Sequence, residues 1–202
     1  MKNLEVVCAD IGSVASNNFG WFANTAASGT TPSSLAKYVA SVLNEERPVA
    51  LGFECPLFVP LRSDEQTRTR ARPGEQNRAW SAGAGCGALA TGLVQVTWAL
   101  QAIKSQLKVP AQFHSSWEAF SSVGSGLFIW EAFISGPSKR DDHVADAACA
   151  VGTFSAAMPY PPEKNAIQPD SPVHSLLGAA LLRTGWSVDL AMLTMPSLVI
   201  KG

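Results

Sequence analysis

Residues 4–25 read "LEVVCADIGSVASNNFGWFANT", and their pattern decides the fold. Leu4 to Ala9 is a short run of apolar and β-branched residues, which predicts a buried strand. Asp10-Ile11-Gly12 ends it in a turn, and Ser13 to Asn18 is polar turn material. Phe19 to Thr25 reads as a second strand, hairpin-paired with the first. Pro32 to Glu46 then carries helix signals: Thr31 as cap, Pro32 at the first helical position, and Leu35, Val39, Val42 and Leu43 on one face. Pro48 ends that helix, and Val49 to Cys55 is a continuous apolar strand. A hairpin followed by strand–helix–strand alternation predicts an α/β fold, a mixed sheet starting with an antiparallel hairpin and flanked by helices.

Beyond Cys55 the pattern continues. Leu61 to Arg78 is the one strongly charged stretch, an Arg-rich insertion at about 60–80 that reads as a long loop or loosely helical segment. Ser81 to Gly87, "SAGAGCG", lacks the Gly-Lys-Ser/Thr of a phosphate loop and reads as a flexible lead into a helix from Ala88 to Leu107. Leu127 to Ile134 is a third buried strand, closed by Gly136-Pro137-Ser138. Asp142 to Met158 is an Ala-rich helix able to pack closely on a sheet. Ser175 to Arg183 is an amphipathic helix, Asp189 to Met195 a further segment, and Ser197 to Ile200 a closing edge strand. No repeat or linker interrupts residues 1–202, so one domain is expected.

Composition sets bounds. The chain has 202 residues, 47% hydrophobic and 15% charged, enough to bury a core and too apolar for disorder. Its net charge of −1 excludes a polycation, so nucleic acid would be met by a local basic surface or through a divalent metal. Cys8, Cys55, Cys86 and Cys149 are scattered without a C-x-x-C pair, which argues against a zinc ribbon or disulfide scaffold and predicts free thiols in a reducing, cytoplasmic setting. "MKNLEVVCAD" turns acidic too early for a signal peptide, and no apolar run reaches about 18 residues uninterrupted, so no membrane span is expected.

Four acids stand at the ends of apolar segments: Asp10, Glu54 in "VALGFE", Glu131 in "GLFIWE" and Asp146 in "DDHVAD". A carboxylate at the end of a buried strand is costly unless paired or metal-bound, so the set predicts convergence on one site. Magnesium and manganese prefer such oxygen ligands. Two ions about 4 Å apart can clamp the attacking and leaving oxygens of a phosphodiester displacement. Asp10 is the natural bridge, and Glu54 on the next parallel strand reaches the same edge. His143 and Asp146 are three residues apart and Asp142 and Asp146 four, so each pair shares a helical face. Asp141 and Asp142 equally suit plain capping of a first helical turn. The expected catalytic set is Asp10, Glu54, His143 and Asp146, and the metal set Asp10, Glu54, Glu131, Asp142 and Asp146, with Mg2+ or Mn2+ as cofactor. Arg68, Arg70 and Arg72 alternate, so in an extended loop they would present one basic edge to a phosphate backbone. His114 and His174 have no acid at ligand spacing and read as ordinary histidines.

Taken together, "VVCADIGS…NNFGWF", "VALGFECPLF", "FIWEAF" and "DDHVADAACA" resemble the RNase H-like superfamily, and within it a bacterial family of uncharacterised predicted nucleases. The closing "GAALLRTGWSVDLAML…LVI" is similar to that group as well. "HVADAACA" also resembles the helix motif of RuvC-type junction resolvases. The resemblance spans nearly the whole chain and implies an RNase H-like mixed sheet. It implies that Asp10 is the first-strand acid, Glu54 the fourth-strand acid, and His143 and Asp146 the helical pair. The implied activity is metal-dependent nuclease chemistry; the alternative is a degenerate, non-catalytic module binding nucleic acid or protein. The usual pattern has three antiparallel strands before the first helix, and only two are visible here. "ADIGS" is also similar to the first phosphate loop of actin-like phosphotransferases, but that fold needs two related domains. Nucleic acid of unspecified type is the expected partner, with a possible homodimer and no membrane.

Overall fold

The structure, a computed structural model, describes residues 3–76, 78–134, 140 and 142–202. The expected terminator Gly136-Pro137-Ser138 and Asp141 lie outside the described residues. The chain begins with β1 (Glu5–Asp10), β2 (Gly20–Ala23) and β3 (Ser28–Gly29), an antiparallel meander. The third antiparallel strand is thus present but only two residues long, below what a sequence pattern can display. Helix α1 (Pro32–Asn44) follows, with Thr31 Oγ1 accepting from the Ser34 amide and Pro32 in the first turn. Strand β4 (Val49–Glu54) then pairs with β1 in parallel.

The rest of the sheet is laid down by β6 (Phe113–His114), β7 (Leu127–Phe133) and β9 (Leu198–Lys201). The order is β3-β2-β1-β4-β7, with β6 pairing the beginning of β7 and β9 its end along the same edge. This mixed sheet with an antiparallel start, flanked by helices, is the RNase H-like arrangement the sequence predicts. A separate two-stranded sheet joins β5 (Phe58–Pro60) to β8 (Val173–Ser175).

Strand periodicity sorts the core into two layers. Val7, Ala9, Leu51, Phe53 and Ile129 face α1, α2 (Gly83–Ser105) and α5 (Leu176–Arg183). Val6, Cys8, Ala50, Phe128 and Trp130 face α3 (Trp117–Val123) and α4 (His143–Ala156). Gly52 lies under the Trp130 indole, where a Cβ would come within 2.5 Å of the ring.

Helix α2 begins inside the glycine-rich run that reads as a flexible lead-in. Tertiary packing overrides the weak propensity there, since Gly92 rests against Cys55, whose Sγ would lie 2.7 Å from a Cβ. Among the described residues α2 is the one helix long and apolar enough to cross a membrane by length and composition. Its Val96, Ala99, Leu100 and Ile103 are core residues. The segment between β5 and α2 forms turns wound around Arg62, whose guanidinium donates to the carbonyls of Thr67, Arg70 and Ala71 and pairs with Asp170 at 2.9 Å.

Candidate metal centre

Asp10 ends β1 and Glu54 ends β4, and the two are direct register partners in parallel strands. Residues in register point to the same face, and parity with Cys8 and Ala50 puts both on the α4 face. Asp146 comes down on them from the first turn of α4, itself buried. One oxygen from each of Asp10, Glu54 and Asp146 lies within 4.8 Å of the others. The approach of α4 depends on Gly20, the β2 partner of Asp10. A Cβ on Gly20 would lie 2.5 Å from the His143 carbonyl carbon and the Val144 nitrogen, so the start of α4 closes on the sheet only over a glycine.

His143 opens α4 and its Nδ1 hydrogen-bonds Asp10 Oδ2. The Arg140 amide donates to Asp146 Oδ1 at 2.5 Å. Beneath the acids, burial pushes the Cys8 thiol well above its ordinary pKa, and the charges of Glu54 and Asp10 push the same way. Cys8 is therefore a packing residue at neutral pH, not a thiolate ligand.

Two expected ligands are not brought into the group. Asp142 is the N-cap of α4, its Oδ1 accepting from the Ala145 amide at 2.8 Å, and its side chain is exposed. Glu131 is in register with Phe53, so it points to the opposite face of the sheet from Asp10 and Glu54. There it is saturated by protein: Oε1 pairs with Arg72 Nη2 at 2.5 Å, and Oε2 accepts from Arg72 Nη1 and from the Leu57 amide at 2.9 Å.

Arg72 is the matching correction. It does not share an exposed edge with Arg68 and Arg70, which are exposed; it is only 3% exposed. Its guanidinium also pairs with Glu75 at 2.8 Å, donates to the Phe58 carbonyl at 3.1 Å and stacks on the Phe58 ring. Burial works against its charge, but Glu131 and Glu75 more than compensate, and its pKa is raised. Glu75 Oε2 accepts from the amides of Arg72 and Trp80. This ion cluster fastens the Arg-rich segment across the strand ends. The signal for it lies in the alternation along β7, where Glu131 falls out of phase with Trp130 and Phe128.

No family model matches this chain, and no curated protein or solved structure matches it. Fold and site alone therefore show a mixed α/β sheet with an antiparallel start, compatible with an RNase H-like fold, and three carboxylates gathered at the carboxyl ends of its central strands.

The donor set suits a hard divalent cation. Three carboxylates at this separation repel one another unless protonated, hydrogen-bonded or neutralised, and oxygen-only donors match magnesium or manganese better than zinc or copper. Asp10, Glu54 and Asp146 would hold it.

Proposed function

We propose that the protein is a metal-dependent nuclease of the RNase H-like superfamily that hydrolyses phosphodiester bonds with Mg2+ or Mn2+ in a cytoplasmic setting. The observation that carries this reading is the meeting of Asp10, Glu54 and Asp146 within 4.8 Å. Bound there, the cation would supply charge stabilisation at the attacking and leaving oxygens. Asp10 and Glu54 are fixed by the β1–β4 ladder, so their geometry is set before any ligand arrives. His143 orients the Asp10 carboxylate through Nδ1 and is partly open to solvent. Arg68 and Arg70, exposed on the segment after Glu54, offer charge-assisted contacts to phosphate oxygens.

The test pairs calorimetry with a cleavage assay. Mn2+ titrated into the wild type is expected to bind, and Asp10→Asn and Asp146→Asn to bind at least about tenfold more weakly. Single- and double-stranded DNA and RNA are then incubated with Mg2+ or Mn2+, and cleavage is expected to vanish in Asp10→Asn. Metal binding without cleavage of any substrate would favour a non-catalytic module. Absence of metal binding at millimolar Mn2+ would overturn the reading.

A further inference from the structure

We propose that the solvent-facing side of α2 is a two-fold interface with a second copy of this chain. The proposal is independent of the nuclease reading. Helix α2 spans 23 residues, yet only Gly92, Val96, Ala99, Leu100 and Ile103 are buried. The outward stripe runs Gly83, Gly87, Ala90, Val94, Trp98 and Gln101, spaced by three or four residues, and is exposed throughout. Val94 is 70%, Leu93 56% and Trp98 46% exposed. Surface helices normally carry charge on this side; α2 carries none between Gly83 and Ile103.

The occupant follows from charge and shape. A lipid surface would select a helix with several cations beside its apolar face, and Lys104 is the one cation in α2. A two-fold axis sets residues near it against their own copies, which charged side chains resist and the uncharged residues of the stripe permit, with exposed Arg183 bordering them beside Val94 and Trp98. The stripe is also graded in size. Its N-terminal half is Gly83, Gly87 and Ala90, and its C-terminal half holds Val94, Trp98 and Gln101. Antiparallel pairing centred on Val94 sets Trp98 against Ala90 of the partner subunit, and Gln101 against Gly87 of the partner subunit. Among the described residues none crowds Gly87, where a Cβ would meet no atom within 4 Å. A glycine inside a helix costs roughly 0.5–1 kcal/mol relative to alanine, and its missing side chain leaves room for a facing helix to approach closely.

Area points the same way. At about 1.5 Å rise per residue the helix is roughly 34 Å long. A strip about 10 Å wide along it supplies roughly half of the ~800 Å² that each side of a standard interface buries. The segment that meets the C-terminal end of α2 exposes Val188 and Leu190 as well, 92% and 72% exposed. Its Trp186 indole donates to the Leu100 carbonyl at 3.0 Å, tying this segment to the C-terminal part of α2.

The test is sedimentation or light scattering over a micromolar concentration series. The wild type is expected at twice the 21.3 kDa chain mass. Val94→Glu and, separately, Ala90→Arg are expected at the single-chain mass, with circular dichroism and Tm showing that each folds. Both positions are exposed, so at least one variant is expected to fold as the monomer does. A wild type that stays monomeric across the series overturns the proposal. So does a dimer that persists in both folded variants, which would place the interface elsewhere. Cosedimentation of a monomeric wild type with anionic phospholipid vesicles would also overturn it, in favour of a membrane surface.

Discussion

Arg68 and Arg72 lie one helical turn apart in sequence and have opposite fates. Arg68 is exposed, its Nη2 reaching the Ser63 carbonyl at 3.5 Å, while Arg72 is enclosed by Glu75, Glu131 and the Phe58 ring. A buried charge whose partners are removed is heavily penalised, so the two arginines should answer mutation differently. Arg72→Leu leaves Glu131 and Glu75 buried without their cation. It is expected to cost about 3–5 kcal/mol, a fall of roughly 6–20 °C in Tm for a chain of this size. The Arg68→Ala, Arg70→Ala double variant is expected to change Tm little. If the segment meets a phosphate backbone, the double variant lowers the slope of log affinity against log salt by about 0.9 for each duplex phosphate it no longer neutralises. Thermal denaturation and a salt series of binding isotherms separate the two effects. An Arg72→Leu protein as stable as wild type would remove the clamp as an explanation of the cluster.

At the scale of elements, the site is made by two docking events: β4 in register beside β1, and α4 settling onto β2. The second turns on Gly20, since a methyl there would meet backbone atoms of His143 and Val144, which cannot rotate away. Gly20→Ala is therefore expected to push the start of α4 off the sheet and draw Asp146 and His143 away from Asp10. The expected loss of Mn2+ affinity is about 10–100-fold, with the sheet signal in circular dichroism unchanged. Gly152→Ala is the control on the same helix, because a Cβ there meets no atom within 4 Å and should stabilise the helix slightly. Equal metal affinity in the two variants would show that α4 does not need the close approach. This is also where the sequence was legible and where it was not. Asp10, Glu54 and Asp146 were visible because a carboxylate beside a buried apolar run is costly, and cost leaves a mark on pattern. Glu131 carried the same mark, but for another reason, pairing with an arginine fifty-nine residues earlier. Apolar flanks reveal that a charge is compensated without revealing by what. The two-residue β3 and β6 left no mark, since strands so short are held by their neighbours and not by their own pattern.

For the molecule as a whole, the sheet carries α1, α2 and α5 on one face and α3 and α4 on the other, and its far edge at β6 is sealed by α3. His114 stands in that seal. It is buried, its Nε2 meets the Ser125 carbonyl at 3.0 Å, and its ring packs on Phe120 at 5.7 Å. Burial lowers its pKa below the ordinary histidine value, and the bond to Ser125 only partly offsets that. The unfolded chain therefore takes up a proton on this ring at higher pH than the folded one does. Stability is at its full value above about pH 6.5, the unfolded value for histidine. It falls as pH drops below that point and levels off once pH passes the folded value, because the slope follows the excess of protons bound by the unfolded state. Acid should thus loosen the β6 edge before carboxylates elsewhere begin to titrate. The measurement is Tm across pH 5–8, compared between wild type and His114→Gln. Glutamine can still donate to Ser125 but gains no charge, so the variant is expected to have a lower Tm at pH 8 and a shallower decline below about pH 6.5. Parallel curves for the two proteins would clear His114 of any part in the acid sensitivity of the fold.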